Sequence, residues 1–206
     1  MQSVELDRRP AAIAFLVTGV PGSGKTTVSR ELAQRFQQGA HICADALGAM
    51  TLAGRALPHP PHRRERAEAA ADCKEADRQL LLRARNASLL CDSFFSAGFT
   101  PVVDDVVVRQ LQLSFYLEHI RSRPLALIVL SPHRDIVLAH DAARAPHKRG
   151  LADEWLFLEN TLHEELANTG IWLDTSEQSP AESVDEILQA VEASTPVTAQ
   201  SVDAPM

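Results

Sequence analysis

One octapeptide constrains this chain more than any other stretch: GVPGSGKT, Gly19 to Thr26, which satisfies G-x-x-x-x-G-K-[ST]. Glycines at 19, 22 and 24 admit backbone conformations closed to other residues, so successive N–H groups can curl around phosphate oxygens at the start of a helix. The context the motif needs is present on both sides. Residues 13–18 form a short apolar run, the pattern of a strand covered on both faces. Beyond the loop Val28, Leu32, Ala33 and Phe36 recur at helical spacing, and Gly39 is read as the stop. In that setting Lys25 is expected to reach the β- and γ-phosphates of ATP and Thr26 to place its hydroxyl on Mg²⁺, while Val20, Pro21, Ser23 and Thr27 complete the lining. The bland alternative, a glycine-rich turn with an incidental lysine, does not account for the full motif between a strand and a helix.

The remaining pattern predicts where that loop sits. A second strand is expected over 41–44, delivering Asp45 at its carboxyl end. Between 51 and 79 the composition changes: Pro58, Pro60 and Pro61 break the chain, and RRERAEAAADCKEAD is charged and alanine-rich, which reads as a loop and then a solvated helix inserted over the core as a substrate cap. Leu81, Ala84, Ser88, Cys91 and Phe95 share one face of a further helix that ends at Gly98. Strands over 100–104, 125–130 and 171–173 alternate with helices over 110–121, 134–144, 153–168 and 182–193. The expected fold class is therefore α/β, three-layered, with a mainly parallel five-stranded sheet. One domain over 13–193 is expected, with a frayed leader over 1–12, a lid over 134–150 and a tail over 194–206 without fixed structure.

A phosphate loop needs a carboxylate near its metal, and the apolar strand ending in Asp104 and Asp105 supplies one. Asp104 is the first choice and Asp105 the second; one of the pair is expected merely to hold the following turn. Asp45 lies at the same strand edge and is placed to accept the proton of an attacking hydroxyl, or to act as N-cap of a helix beginning near Ala46. Arg134, Arg144, Lys148 and Arg149 form a basic cluster that could close over ATP, with Arg144 the preferred phosphate contact and the others readable as solvated surface. Arg83, Arg85 and Asn86, like Arg63, Arg64 and Arg66 in the insert, are taken as surface residues in preference to substrate contacts.

Composition limits the alternatives. The formal net charge of −7 argues against broad affinity for nucleic acid or anionic membrane, and no apolar run approaches the ~20 residues of a bilayer span. The opening MQSVELDRRP lacks a signal-peptide pattern, and Cys43, Cys73 and Cys91 form no C-x-x-C pair, so a reducing cytoplasm is the expected home. None of the eight histidines falls in an H-E-x-x-H spacing, so no metal is expected beyond the Mg²⁺ that ATP brings.

The phosphate loop, the segment CADALGAM and the strand PVVDDVVV together resemble the chloramphenicol phosphotransferase-like group of small P-loop kinases, over most of the chain from 13 to about 191. The resemblance implies a nucleoside-monophosphate-kinase-like core, ATP with Mg²⁺, and phosphorylation of a hydroxyl on a small molecule such as an antibiotic. It implies Asp45 as the base, Asp104 and Asp105 as the acidic pair, and Arg144 as the lid arginine. Where relatives tend to begin the lid with an arginine this chain has His140, and the 51–79 insert has no counterpart. The function expected is an ATP-dependent transfer to a small-molecule alcohol. The alternatives are a nucleic-acid end kinase, and a slow ATPase module that switches a protein partner.

Overall fold

In the computed structural model, residues 13–58, 67–143 and 157–193 are described, those of 67–72 by their backbone alone. Five strands, β1 (Ala14–Thr18), β2 (Gly39–Cys43), β3 (Thr100–Asp104), β4 (Leu125–Leu130) and β5 (Ile171–Leu173), form one sheet in the order β2-β3-β1-β4-β5. Every pairing is parallel. Each crossover is therefore long, and it carries helix: α1 (Lys25–Gln34), α2 (Ala44–Ala49), α3 (Ala67–Ser96), α4 (Gln110–His119), α5 (Arg134–Ala142) and α6 (Phe157–Leu166), while α7 (Pro180–Ala193) follows β5. The expected α/β three-layer class is the one observed.

Strand alternation divides the core in two. Phe15, Val17, Val102, Ala126, Ile128 and Leu130 face α1 and α7, meeting Val28, Leu32, Val184 and Ile187. Leu16, Ile42, Val103, Leu127 and Val129 face the other way, meeting Ala84, Ala87 and Cys91 of α3, Leu113 and Tyr116 of α4, and Leu162 of α6. The register sets Val17 opposite Asp104 and Asp104 opposite Cys43. Asp104 thus points toward the α1 layer and Asp105, one residue on, toward the α3–α4 layer. That single alternation decides the different fates of the two aspartates.

Three expectations need correction. The strand expected over 41–44 begins two residues earlier, because Gly39 is not a helix stop: α1 ends at Gln34, and a Cβ at position 39 would stand 1.8 Å from the carbonyl oxygen of Ala33. Only glycine lets β2 pass the end of α1. The charged stretch and the apolar helix after it are one continuous helix, with no glycine or proline between Ala67 and Ser96. It is also not merely solvated, since Cys73, Ala76, Ala84, Ala87 and Cys91 make a buried seam of small residues at spacings of three, eight, three and four, all on one helical face. Lastly, α2 starts at Ala44 with Cys43 as its N-cap, so Asp45 sits inside the first turn and does not cap it. The leader, the tail, Arg63, Arg64, Arg66, Arg144, Lys148 and Arg149 lie outside the described residues.

Candidate active site

The carboxyl edge of the sheet collects the chemistry. Strands in a sheet lie about 4.8 Å apart, so neighbouring strand ends present their residues side by side. Along this edge β2 delivers Asp45, β3 delivers Asp104, β1 delivers the glycine-rich loop, and β4 leads to α5.

The loop from Gly19 to Gly24 joins β1 to α1, and its three glycines all hold positive φ, at 151°, 96° and 88°. Gly19 and Gly24 are required for different reasons. A Cβ at 19 would lie 2.5 Å from the Leu130 carbonyl oxygen and 2.6 Å from Ser23 Oγ, whereas at 24 nothing stands within 4 Å and only the backbone conformation excludes other residues. Gly24 is the N-cap of α1 with no side-chain capping bond, and the positive end of the helix dipole there favours an anionic ligand. Ser23 Oγ is buried without a hydrogen-bond partner inside the same cradle. Lys25 is buried, and its Nζ donates to the Val20 carbonyl at 3.0 Å, lying over the loop. This donor set fits a polyphosphate. Gly19→Ala is expected to weaken ATP-analogue binding at least about tenfold, since an alanine there must displace backbone at a cost of about 1–3 kcal/mol. Titration calorimetry checks it.

Thr26 and Asp104 come together at the neighbouring position, the Thr26 hydroxyl donating to Asp104 Oδ1 at 3.3 Å. Oδ2 of Asp104 accepts from His41 Nε2 at 2.5 Å. A hydroxyl and a carboxylate beside a phosphate cradle are the oxygen ligands Mg²⁺ takes while keeping waters and phosphate oxygens. Among the described residues no three histidine, cysteine or acidic side chains gather to hold a metal by themselves.

Asp45 stands on the other side of Asp104. Its side chain is 75% exposed, and Oδ1 accepts from Arg83 Nη1 at 2.9 Å. Arg83 is not the surface residue expected from sequence: its side chain is only 14% exposed, and its Nη2 donates to Asp105 Oδ1 at 2.5 Å. Gly48 makes room for it, since a Cβ there would meet Arg83 Cδ at 3.3 Å. Asp105 also accepts from Tyr116 Oη at 2.7 Å and from the Val106 N–H at 2.7 Å. It is therefore the anchor of Arg83 and of the following turn, with no contact to Thr26 among its hydrogen bonds. Burial pushes the Asp105 carboxyl above its usual value against the opposing pull of Arg83 and Tyr116. Burial and then the Asp105 charge hold the Tyr116 phenol far above 10, so it remains a donor. For Arg83 burial works downward, but the carboxylates of Asp105 and Asp45 outweigh it and keep the guanidinium charged. Tyr116→Phe removes one of three donors to this buried acceptor and is expected to lower unfolding free energy by about 1–3 kcal/mol. A shifted denaturant midpoint at unchanged m-value would show it.

The nucleotide side is partly described. His140, in the last turn of α5, hydrogen-bonds through Nδ1 to the Gly22 carbonyl at 3.1 Å, so the lid region touches the phosphate loop at the position singled out from sequence. Arg134 is exposed at the start of α5, and Arg85 and Asn86 are exposed on α3. Two contributors escaped the sequence reading. His41 gave no local signal because its partner lies 63 residues away; Arg83 was legible only through its helical spacing from Ala76 and Ala87, seven and four residues away along the buried seam.

A larger cleft, about 880 Å³, lies between the second half of α3 and the end of α4, lined by Arg85, Asp92, His119 and Arg121. It flanks the start of β4 and so belongs to the opposite edge of the sheet. Asp92 there is engaged by the Arg121 and Ser122 backbone and the Ser122 hydroxyl, which makes it a structural tie.

No protein-family model matches this sequence, and no curated protein is significantly similar to it. Solved structures are similar in fold. A gluconokinase from Sinorhizobium meliloti 1021 superposes with a TM-score of 0.59 at 21% identity, covering 90% of this chain and 94% of that one. Shikimate kinase from Acinetobacter baumannii, in complex with shikimate, gives 0.58 at 17% identity over 88% and 93%. The Deinococcus radiodurans tunicamycin resistance protein gives 0.57 at 15% identity over 87% and 95%. With its all-parallel sheet and glycine loop, this chain has the fold of the small P-loop kinases.

Proposed function

We propose that this protein is an ATP-dependent phosphotransferase that moves the γ-phosphoryl group onto a hydroxyl of a small molecule, an antibiotic or a metabolite. The observation that carries the reading is the order along one sheet edge: an exposed carboxylate, a buried carboxylate bonded to the loop threonine, and a phosphate cradle. A phosphoryl transfer needs these three parts on one edge: a base for the acceptor hydroxyl, a cradle for the donor phosphates, and a carboxylate that would hold the metal beside them.

In this reading the N–H groups and glycines of residues 19–24, with Ser23, Thr26 and Thr27, hold the triphosphate, and Lys25 neutralises the β- and γ-phosphates. Thr26 and Asp104 hold Mg²⁺, which when bound supplies charge neutralisation at the phosphate oxygens. Asp45 takes the proton of the acceptor hydroxyl, and its exposure leaves an acceptor room to approach. Arg144 is assigned the arginine contact to the phosphates that the family resemblance implies. Asp105 keeps Arg83 beside Asp45, so the base rests against a fixed cation.

The loop before α3 supports an acceptor with an apolar part. Leu52 and Leu57 are exposed there, and Gln79 ties the segment by accepting from Ala56 N–H at 2.9 Å and donating to Gly54 O at 2.7 Å. Gln79 lies one helical turn from Arg83. The likeness in CADALGAM and PVVDDVVV favours the chloramphenicol phosphotransferase-like group. Among the described residues no helix is long and apolar enough to cross a membrane.

The test is a screen of ADP release from MgATP against hydroxyl-bearing antibiotics, sugars, nucleosides and oligonucleotides, with product masses read by mass spectrometry. A low-molecular-weight alcohol that accelerates release and gains one phosphoryl group supports the reading. Acceleration by oligonucleotides alone contradicts it.

A further inference from the structure

Asp104 carries the candidate metal position, and the structure shows an unusual constraint on it. Its side chain is nearly fully buried, at 4% exposure, and its two oxygens are used differently. Oδ1 faces the Thr26 hydroxyl at 3.3 Å, while Oδ2 is held by His41 Nε2 at 2.5 Å. The strand register brings them together: His41 pairs with Val102 and Cys43 with Asp104, so His41 and Asp104 project from the same face of adjacent parallel strands, two positions apart along the chain direction. With the carboxylate oxygen as acceptor, Nε2 is the donor of this bond.

We propose that His41 is the positioning residue of the Mg²⁺ site: its imidazole holds Oδ2 of Asp104 and thereby turns Oδ1 toward Thr26 and the bound metal–nucleotide. The inference rests on the kinase reading and adds a residue to it. An aspartate χ2 is a broad, roughly two-fold torsion, so a carboxylate with one weak partner samples orientations that point neither oxygen at the metal. A hydrogen bond from an N–H to one carboxylate oxygen fixes the plane of the group and compensates for its removal from water. Outer partners of metal ligands act this way, and their loss lowers metal affinity by about 10- to 100-fold. The side chain of His41 is 15% exposed, so it is reached by little water and is replaceable without opening the deep core.

The experiment is titration of Mn²⁺ into the full chain saturated with a non-hydrolysable ATP analogue, followed by electron paramagnetic resonance of free Mn²⁺. His41→Leu and His41→Asn, the latter too short to reach Asp104, are each expected to raise the Mn²⁺ dissociation constant about 10- to 100-fold. His41→Gln sets an amide N–H near the Nε2 position and is expected to stay within about threefold of the native chain. Affinity for the metal-free analogue should be the same in all four proteins. If His41→Leu fails to fold, His41→Asn decides. Native-like Mn²⁺ affinity in the Leu or Asn variant overturns the proposal, as does equal weakening in the Gln variant or a parallel loss of metal-free nucleotide binding, which marks packing alone. A native chain that binds no Mn²⁺–nucleotide overturns both this proposal and the kinase reading.

Discussion

Asp45→Asn is expected to lower kcat for phosphoryl transfer by about 100- to 10,000-fold, the range in which a positioned general base contributes. The asparagine keeps size and hydrogen-bonding capacity but cannot take a proton, so acceptor and ATP should still bind. KM for ATP is expected to stay within about twofold, the pattern of an interaction used only in the transition state. Stability should change little, because the bond Asp45 makes to Arg83 is largely solvent-exposed on the aspartate side and such pairs contribute about 0–1 kcal/mol. Steady-state kinetics with the cognate acceptor, beside a melting curve, separates these effects. Full activity in the variant would remove Asp45 from the mechanism and leave its contact with Arg83 as structure only.

Lys25→Met is expected to reduce transfer by about 1000-fold and to weaken triphosphate binding as well. Lys25 is buried, and its ammonium donates to the Val20 carbonyl within the loop that holds the three positive-φ glycines. Methionine has a similar length and volume without the charge, so the loop should keep its shape. Here, unlike Asp45→Asn, kcat and nucleotide affinity fall together, because the cation meets the phosphates in the ground state and the transition state alike. Titration calorimetry with an ATP analogue and single-turnover kinetics measure the two parts.

Much of this was legible from residues 13–26 and 100–105. A strand buried on both faces, a glycine-rich turn and a helix can be read locally, because each depends on near neighbours in sequence. The end of β3 was equally plain, and the expected limits of β5 match those observed. The errors came where one residue serves two elements. Gly39 looks like a helix stop and is instead the point where β2 slips past Ala33. The change from charged to apolar residues near position 80 looks like a boundary, yet the buried seam from Cys73 to Cys91 runs across it with the backbone unbroken.

The acidic pair shows the same limit at the site. Alternation along a strand sends Asp104 and Asp105 to opposite layers, which any reading of β3 contains. Which layer holds the phosphate loop's helix depends on the order β2-β3-β1-β4-β5, and that is a property of the whole sheet. Arg83 and His41 were hidden for a related reason, since each gains its meaning from an aspartate 22 or 63 residues distant.

The most direct test follows the phosphorus itself. With ATP radiolabelled at the γ-position, Mg²⁺ and an acceptor alcohol from the screen, the label is predicted to pass into a phosphoester of that alcohol, and to stop doing so when Asp45 or Lys25 is replaced. Label found only as inorganic phosphate, at a rate no alcohol alters, would contradict the account.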